Sequence, residues 1–392
     1  MNAAHNLRRL KVLRVVTTAE CVPWHLGRPL KDLSQEFDIT VAGNEVSQYA
    51  HDFPKVSWFD FKIARRGGLL IDAVALMRLF ILCRRLKPDI AHSIMPKSGL
   101  LTAIAGSLAG VPVRMHTFTG QVWDTQKGVR RTILKTLDKL VIWLNTICLT
   151  DSPSQSRHLY EEGITLKGKP LPVLGQGALV GADLERFDPE RIRRQSAITR
   201  EGLAISQGDF VVAYIARKTR DKGAFDMLEG FANAQRSSPQ LKLLFIGPDE
   251  SNGELSKLKF EKPELFRGVI ELDRVNNHEE YLNISDLLCV PSYREGFGSV
   301  VIDAAALGVP SIGSRIKGLV DSISDGETGL LFSPGNVQEI GDLISQMNSR
   351  PALLRKLGDE AKSRARKNFS SQVLGTLLKD FYNTQFQATK KH

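Results

Sequence analysis

Cysteine is scarce in this chain: Cys21, Cys83, Cys148 and Cys289 are the four among 392 residues, with no C-x-x-C pair and no histidines at metal-ligand spacing. That excludes zinc-ribbon and dithiol chemistry and leaves reduced core thiols, as expected of a cytosolic protein. His278-Glu279-Glu280 lacks a second histidine four residues after the first, so it reads as a helix start and not a zinc site. There is no G-x-S-x-G elbow, and Gly175-Gln176-Gly177 falls short of a G-x-G-x-x-G fingerprint, which removes the hydrolase and dehydrogenase readings. Long apolar runs are missing too. The longest uncharged stretch, 98–113, is too short and too rich in Gly and Ala for a membrane helix. The apolar run 12–16 is broken by Arg14 and lacks a cleavage site, so no signal peptide is expected. Repeats of solenoid period and low-complexity segments are also absent.

What is present suits a globular protein of two domains. Hydrophobic residues make up 42% and charged residues 24%, enough to bury real cores, and 392 residues exceed a typical single core. The formal charge of +10 brings acidic partners into consideration. The basic clusters (Arg84, Arg85 and Lys87; Arg130 and Arg131; Arg191, Arg193 and Arg194) are short and not interleaved with aromatics, so no nucleic-acid partner is expected.

Helix and strand patterns alternate along both halves. Strands are expected at 10–17, 39–42, 89–93 and 112–117, with helices from about 30, at 69–86 and at 99–109. A second cycle has strands at 210–215, 241–246 and 286–290 and helices at 225–235 and 300–307. The predicted fold class is α/β: two Rossmann-like, doubly wound domains facing a central cleft. The Gly- and Pro-rich stretch 171–189 suits a linker. The boundaries read as 1–186 and 187–371, with a terminal helix at about 372–392 packing back on the first domain.

Two clusters carry chemistry. Ala216-Arg217-Lys218-Thr219-Arg220-Asp221-Lys222-Gly223 follows a strand, where ligands of open α/β sheets bind. There Arg217 can grip a diphosphate bidentately and Lys222 can add a point charge. A solvated basic loop would look the same. Pro291-Ser292-Tyr293-Arg294-Glu295-Gly296-Phe297-Gly298-Ser299-Val300-Val301-Ile302-Asp303 reads strand, glycine loop, helix, with Ser299 as cap and free N–H groups for an anion. Glu295 in the loop and Asp303 one turn inside the helix can address hydroxyls at two ends of one ligand.

With these residues in this order, the chain resembles the retaining glycosyltransferases of the GT-B fold that share a Glu-x7-Glu motif. The likeness covers nearly the whole chain and is strongest from 211 to 335, including Ser285-Asp286 and Asp325-Gly326-Glu327-Thr328-Gly329-Leu330-Leu331. It implies that Arg217 and Lys222 bind the donor diphosphate, Glu295 and the backbone of Gly296, Phe297 and Gly298 the donor sugar, and Asp303 the ribose. Asp303 stands where the family usually has Glu. Val113-Arg114-Met115-His116 and the polar and aromatic residues after it resemble the family's acceptor-side loop, placing His116 near the donor sugar. Lys97-Ser98-Gly99 reads as a further cleft loop, and 18–27 as part of an acceptor pocket. The catalytic set implied is His116, Arg217, Lys222 and Glu295.

The same resemblance implies a hexosyltransferase of surface polysaccharides such as O antigen and capsule. It uses a nucleotide-sugar donor, expected to be UDP with an N-acetylated hexosamine or a relative, and a polyprenyl-diphosphate-linked saccharide acceptor. No cofactor and no metal are expected, since nowhere are two aspartates separated by one residue. The segment 128–149, with Arg130, Arg131, Lys135 and Lys139 among aliphatic residues, is compatible with a basic amphipathic helix. An ordinary helix covering the first sheet would carry the same stripe; it is the resemblance, with its polyprenyl-linked acceptors, that implies a cytoplasmic location, peripheral on the cytoplasmic face of the inner membrane. A nucleotide-sugar epimerase of the same fold and a non-catalytic binder of anionic lipid or nucleic acid stay open on the sequence alone.

Overall fold

The computed structural model describes residues 8–63, 68–165 and 168–390. The chain divides into two compact units, one running to Val180 and resuming at Ser371, the other Gly181–Ser370. The division falls six residues before the expected 186/187 boundary (Val180 against 186). The reason is pairing: Gly181 and Ala182 already belong to the second unit, where Ala182 N donates to Phe369 O at 2.8 Å.

In the first unit the elements run β1 (Lys11–Thr18), α1 (Gly27–Leu33), β2 (Asp38–Asn44), β3 (Ser57–Asp60), α2 (Leu69–Leu86), β4 (Ile90–Ile94), α3 (Pro96–Leu108), β5 (Val113–Phe118), α4 (Gly128–Leu144), β6 (Ile147–Thr150) and α5 (Pro153–Glu161). The second holds α6 (Pro189–Gln195), β7 (Phe210–Ile215), α7 (Ala224–Gln235), β8 (Leu241–Ile246), α8 (Glu254–Glu261), β9 (Val269–Leu272), α9 (His278–Asn283), β10 (Leu287–Val290), α10 (Ser299–Leu307), β11 (Ser311–Ser314), α11 (Leu319–Ser322), β12 (Gly329–Phe332), α12 (Val337–Ser349) and α13 (Pro351–Asn368). A last helix, α14 (Ser371–Thr389), packs on α1 in the first unit. Residues 391–392 of the expected terminal helix lie outside the described residues.

Each unit has one parallel six-stranded sheet, ordered β3-β2-β1-β4-β5-β6 and β12-β11-β10-β7-β8-β9. Read from the first strand of each, both orders are the same doubly wound arrangement. Central strands such as β7 and β10 are continuous apolar runs because helices cover both faces. Period-2 alternation sorts them: Val12 and Val16 join one core with Ile39 and Ile90, while Leu13 and Val15 join the other with Ala42 and Ala91. In the second sheet Val212, Tyr214, Leu243 and Phe245 face one core, and Val211, Leu244 and Ile246 the other.

Arg14, which breaks the first apolar run, is only 4% exposed. Its Nη1 donates to Tyr382 Oη on α14 at 2.7 Å; the same hydroxyl meets His92 Nδ1 at 2.7 Å, and His92 Nε2 meets Thr117 Oγ1 at 2.8 Å. A buried polar thread thus ties the terminal helix to the first sheet.

Two local expectations need correction. Lys97, Ser98 and Gly99 are no loop: α3 starts at Pro96, whose missing N–H costs nothing in a first turn, and includes all three. Ser299 does not cap α10 but is its first residue; Gly298, at φ +81°, holds the cap position, and no side chain bonds there.

Candidate functional site

The order of the second sheet places β10 and β7 side by side at the point where the strand order reverses, the usual ligand position in open α/β sheets. The loops leaving these two strands are the two motif clusters. Lys222 Nζ donates to Glu295 Oε1 at 2.7 Å and reaches Arg294 O at 3.3 Å. Ser292 Oγ donates to the same Oε1 at 2.8 Å. Tyr293 N donates to Asp221 O at 2.9 Å, so backbone as well as side chains stitch the loops together. Gly223 is the close point: its φ is +67°, and a Cβ there would lie 2.0 Å from Pro291 O.

The basic loop is held from beneath. Tyr214, in β7 and 1% exposed, donates its hydroxyl to Arg217 O at 2.9 Å and lies 3.3 Å from Lys222 O. Burial pushes this phenol well above its ordinary range, helped by the charges of Glu295 and Asp221, so it stays a donor.

Charge in the site is interlocked. Arg217 Nη1 donates to Glu250 Oε2 at 2.9 Å, and Arg217 and Arg294 approach Asp221 Oδ2 to 3.7 and 3.5 Å. Partial burial would raise the Asp221 carboxyl, but a 2.6 Å bond from Thr219 Oγ1 and the cations Arg217, Lys222 and Arg294 hold it below the usual range. Three cations therefore stand against three carboxylates, and an arriving polyanion would exchange with Glu250, Asp221 and Glu295 for its contacts.

The structure thus brings Arg217, Lys222, Glu295 and Gly296 to Gly298 together in one loop pair. Phe297 has only its backbone to offer a ligand, because its side chain is 3% exposed and packs on Phe369 with centroids 5.3 Å apart. Asp303 sits one turn inside α10, its Oδ2 3.1 Å from His278 Nε2. Glu250 and Arg294 were not singled out from sequence, and His278 was read only as a helix start, which it is. Glu250 had a usable signal, since it follows β8, the strand next to β7.

His116 belongs to the first unit, in β5, and is 1% exposed. Its Nδ1 lies 3.0 Å from Ser93 Oγ, and Phe118 stands edge-on to the ring at 4.5 Å. Burial pushes its pKa down to about 3, against the Ser93 interaction, so the ring is neutral at neutral pH, with one nitrogen a donor and the other an acceptor. All four cysteines are buried and free, and burial raises their thiols. Among the described residues no group of three or more His, Cys, Asp or Glu could hold a metal ion.

Residues 195–364 match the family model for glycosyl transferases group 1. The capsular polysaccharide biosynthesis glycosyltransferase CapM of Staphylococcus aureus is 26% identical over 381 residues, covering 96% of this chain and 98% of that protein. The UDP-Gal:alpha-D-GlcNAc-diphosphoundecaprenol alpha-1,3-galactosyltransferase of Escherichia coli is 24% identical over 351 residues, 87% of this chain and 85% of its own. Among solved structures, sucrose-phosphate synthase of Thermosynechococcus elongatus superposes with a TM-score of 0.78 at 20% identity, covering 96% of this chain and 100% of that one. HepE of Anabaena in complex with UDP does so at 0.75 and 16% identity, with the same coverage of 96% and 100%. Likeness at such identity is one of fold, and that fold is GT-B.

Proposed function

We propose that this chain, whose residues 195–364 match the group 1 glycosyltransferases, is one of them and transfers a sugar from a UDP-linked donor in bacterial surface polysaccharide synthesis. The donor is UDP-N-acetylhexosamine or a close relative, the acceptor a polyprenyl-diphosphate-linked saccharide, and the anomeric configuration is retained without a metal ion. One observation carries this reading: Lys222 and Glu295, from separate loops, meet at 2.7 Å at the sheet's reversal point with Arg217 beside them. The acceptor class is supported by the Escherichia coli relative, whose name specifies a diphosphoundecaprenol-linked sugar.

In this mechanism the bond from the anomeric carbon to the diphosphate breaks as positive charge grows on the sugar and negative charge on the leaving group. Arg217 and Lys222 stabilise the departing diphosphate, and they are already in place before it leaves. Glu295 orients the sugar and is no nucleophile. The acceptor hydroxyl gives its proton to a phosphate oxygen of the leaving diphosphate. His116, neutral, serves the acceptor side by hydrogen bonding and holds no charge. Incubation with a panel of UDP- and GDP-sugars tests the reading: slow acceptor-free release of UDP from one of them is expected. Interconversion of a sugar nucleotide without release would replace it with an epimerase.

Attachment to an anionic membrane surface belongs to the same proposal. Helix α2 packs on α3 and α3 on α4, side by side over the first sheet. Leu70, Val74, Met77 and Ile81 form an exposed stripe on α2, and Val129, Ile133 and Trp143 stand exposed on α4. Among the described residues these three helices have no exposed carboxylate: Asp72 is paired with Lys97 at 2.8 Å, and Asp138 is buried beneath Trp123 Nε1 at 2.7 Å. Arg78, Arg84, Arg85, Arg130 and Lys139 are exposed there. Apolar stripe and basic flank together match anionic lipid. The chain is expected to float with phosphatidylglycerol vesicles at low salt, and Val74→Glu with Met77→Glu to reduce the bound fraction about tenfold without changing donor hydrolysis. No flotation of the unaltered protein at low salt would remove the idea.

A further inference from the structure

Asp303 and His278 begin from different strands: α10 follows the β10 loop, and His278 is the first residue of α9, after β9. Their side chains meet at 3.1 Å, His278 Nε2 to Asp303 Oδ2. A carboxylate can only accept, so the imidazole carries a proton on Nε2. The ring is itself held. Phe187 lies against it with centroids 5.4 Å apart at 56°, and the neighbouring Glu279 accepts a 2.6 Å bond from Arg186 Nη2, which fixes the start of α9. Neither partner is sealed, with side chains 21% and 18% exposed, so the pair meets solvent.

We infer that His278 is a positioning residue, aiming the Asp303 carboxylate at the vicinal diol of a nucleotide ribose. The inference rests on the donor-site reading above. An aspartate on a helix moves among staggered χ1 wells, and each well sends its carboxylate in a different direction. Occupying one oxygen with a fixed imidazole N–H selects a direction before ligand arrives, so the ordering cost does not fall on binding. A diol donating two hydrogen bonds gains most from that, because both hydroxyls need the carboxylate in one orientation. Asp303 is short, with a single methylene, and cannot search space as a longer acid can, so its aim depends on whatever holds it.

The test is calorimetric titration of UDP and of 2′,3′-dideoxy-UDP into the full-length protein. The unaltered protein is expected to bind UDP at least about tenfold more tightly than the dideoxy analogue. His278→Ala should weaken UDP about tenfold, the scale of a hydrogen bond to a charged group, and leave the analogue unchanged, so that discrimination collapses. His278→Gln, whose amide nitrogen can donate from a similar reach, should retain it, which separates aiming from support of the fold. Equal losses for both nucleotides in His278→Ala, or undiminished discrimination, would overturn this inference alone. Failure of the unaltered protein to bind UDP would overturn the donor-site reading, and this inference with it.

Discussion

Lys222→Ala should lower turnover about 10²–10³-fold, roughly 3–4 kcal/mol of transition-state stabilisation, the range measured for removal of one preorganised donor. Lys222 is partly buried between the two loops; its position is set beforehand by Glu295 and by the Tyr214 bond under the loop. The loss should fall on kcat more than on KM, since the charge it meets is largest as the bond breaks. Lys222→Arg should recover only part, because the larger planar guanidinium spreads the charge that the ammonium concentrates at the Glu295 contact. Steady-state release of UDP from the preferred donor reads both variants, and near-normal turnover of Lys222→Ala would remove the assigned role.

The first unit should lose stability steeply in mild acid. Burial holds His25 at about 4 and His116 at about 3, and pushes His92 well below its ordinary value, with the Arg14 charge adding to His25 and His92. All three are neutral when folded and take up protons on unfolding below about pH 6.5, so the stability they contribute is present above that pH and is lost as pH falls. Asp138 acts in the opposite sense: burial raises it to about 6, so it is protonated in the folded state where the unfolded chain is ionised. Near pH 5 the unfolded state therefore binds a net two more protons, a slope of about 3 kcal/mol per pH unit. All four tryptophans, Trp24, Trp58, Trp123 and Trp143, lie in the first unit and report its urea unfolding by fluorescence. The midpoint should fall sharply between pH 7.5 and 5, and His116→Gln should reduce the slope by about 1.4 kcal/mol per pH unit. A midpoint indifferent to this change would contradict the burial assigned to these rings.

Parts of the fold could be read residue by residue. The strands at 210–215 and 241–246 and the helix at 69–86 have the observed limits, because a doubly covered strand is a plain apolar run and a long helix states its period. The start of α3 was misplaced because Pro96 looks like a breaker and is instead a tolerated first-turn residue. The division between units was misplaced because it depends on the pairing of Ala182 with Phe369, distant in sequence and without local pattern. Arg14 marked a break in the sequence and is a buried anchor in the structure, since its partner Tyr382 comes from the other end of the chain.

The candidate site divides in the same way. Arg217, Lys222 and Glu295 could be found because each follows a strand within a local motif of charge and glycine. Glu250, Arg294 and His278 could not be ranked without the strand order, which alone tells which loops are neighbours. The packing of the Phe297 ring could not be read locally, because its partner Phe369 is distant in sequence.

Soaking UDP into crystals of this protein examines the reading where it is most exposed. The diphosphate should appear within hydrogen-bond distance of Lys222 Nζ and the Arg217 guanidinium, with the ribose at Asp303 and the Glu250 contact of Arg217 released. Density for the nucleotide elsewhere, with Lys222 still bound to Glu295 and Arg217 to Glu250, would contradict it.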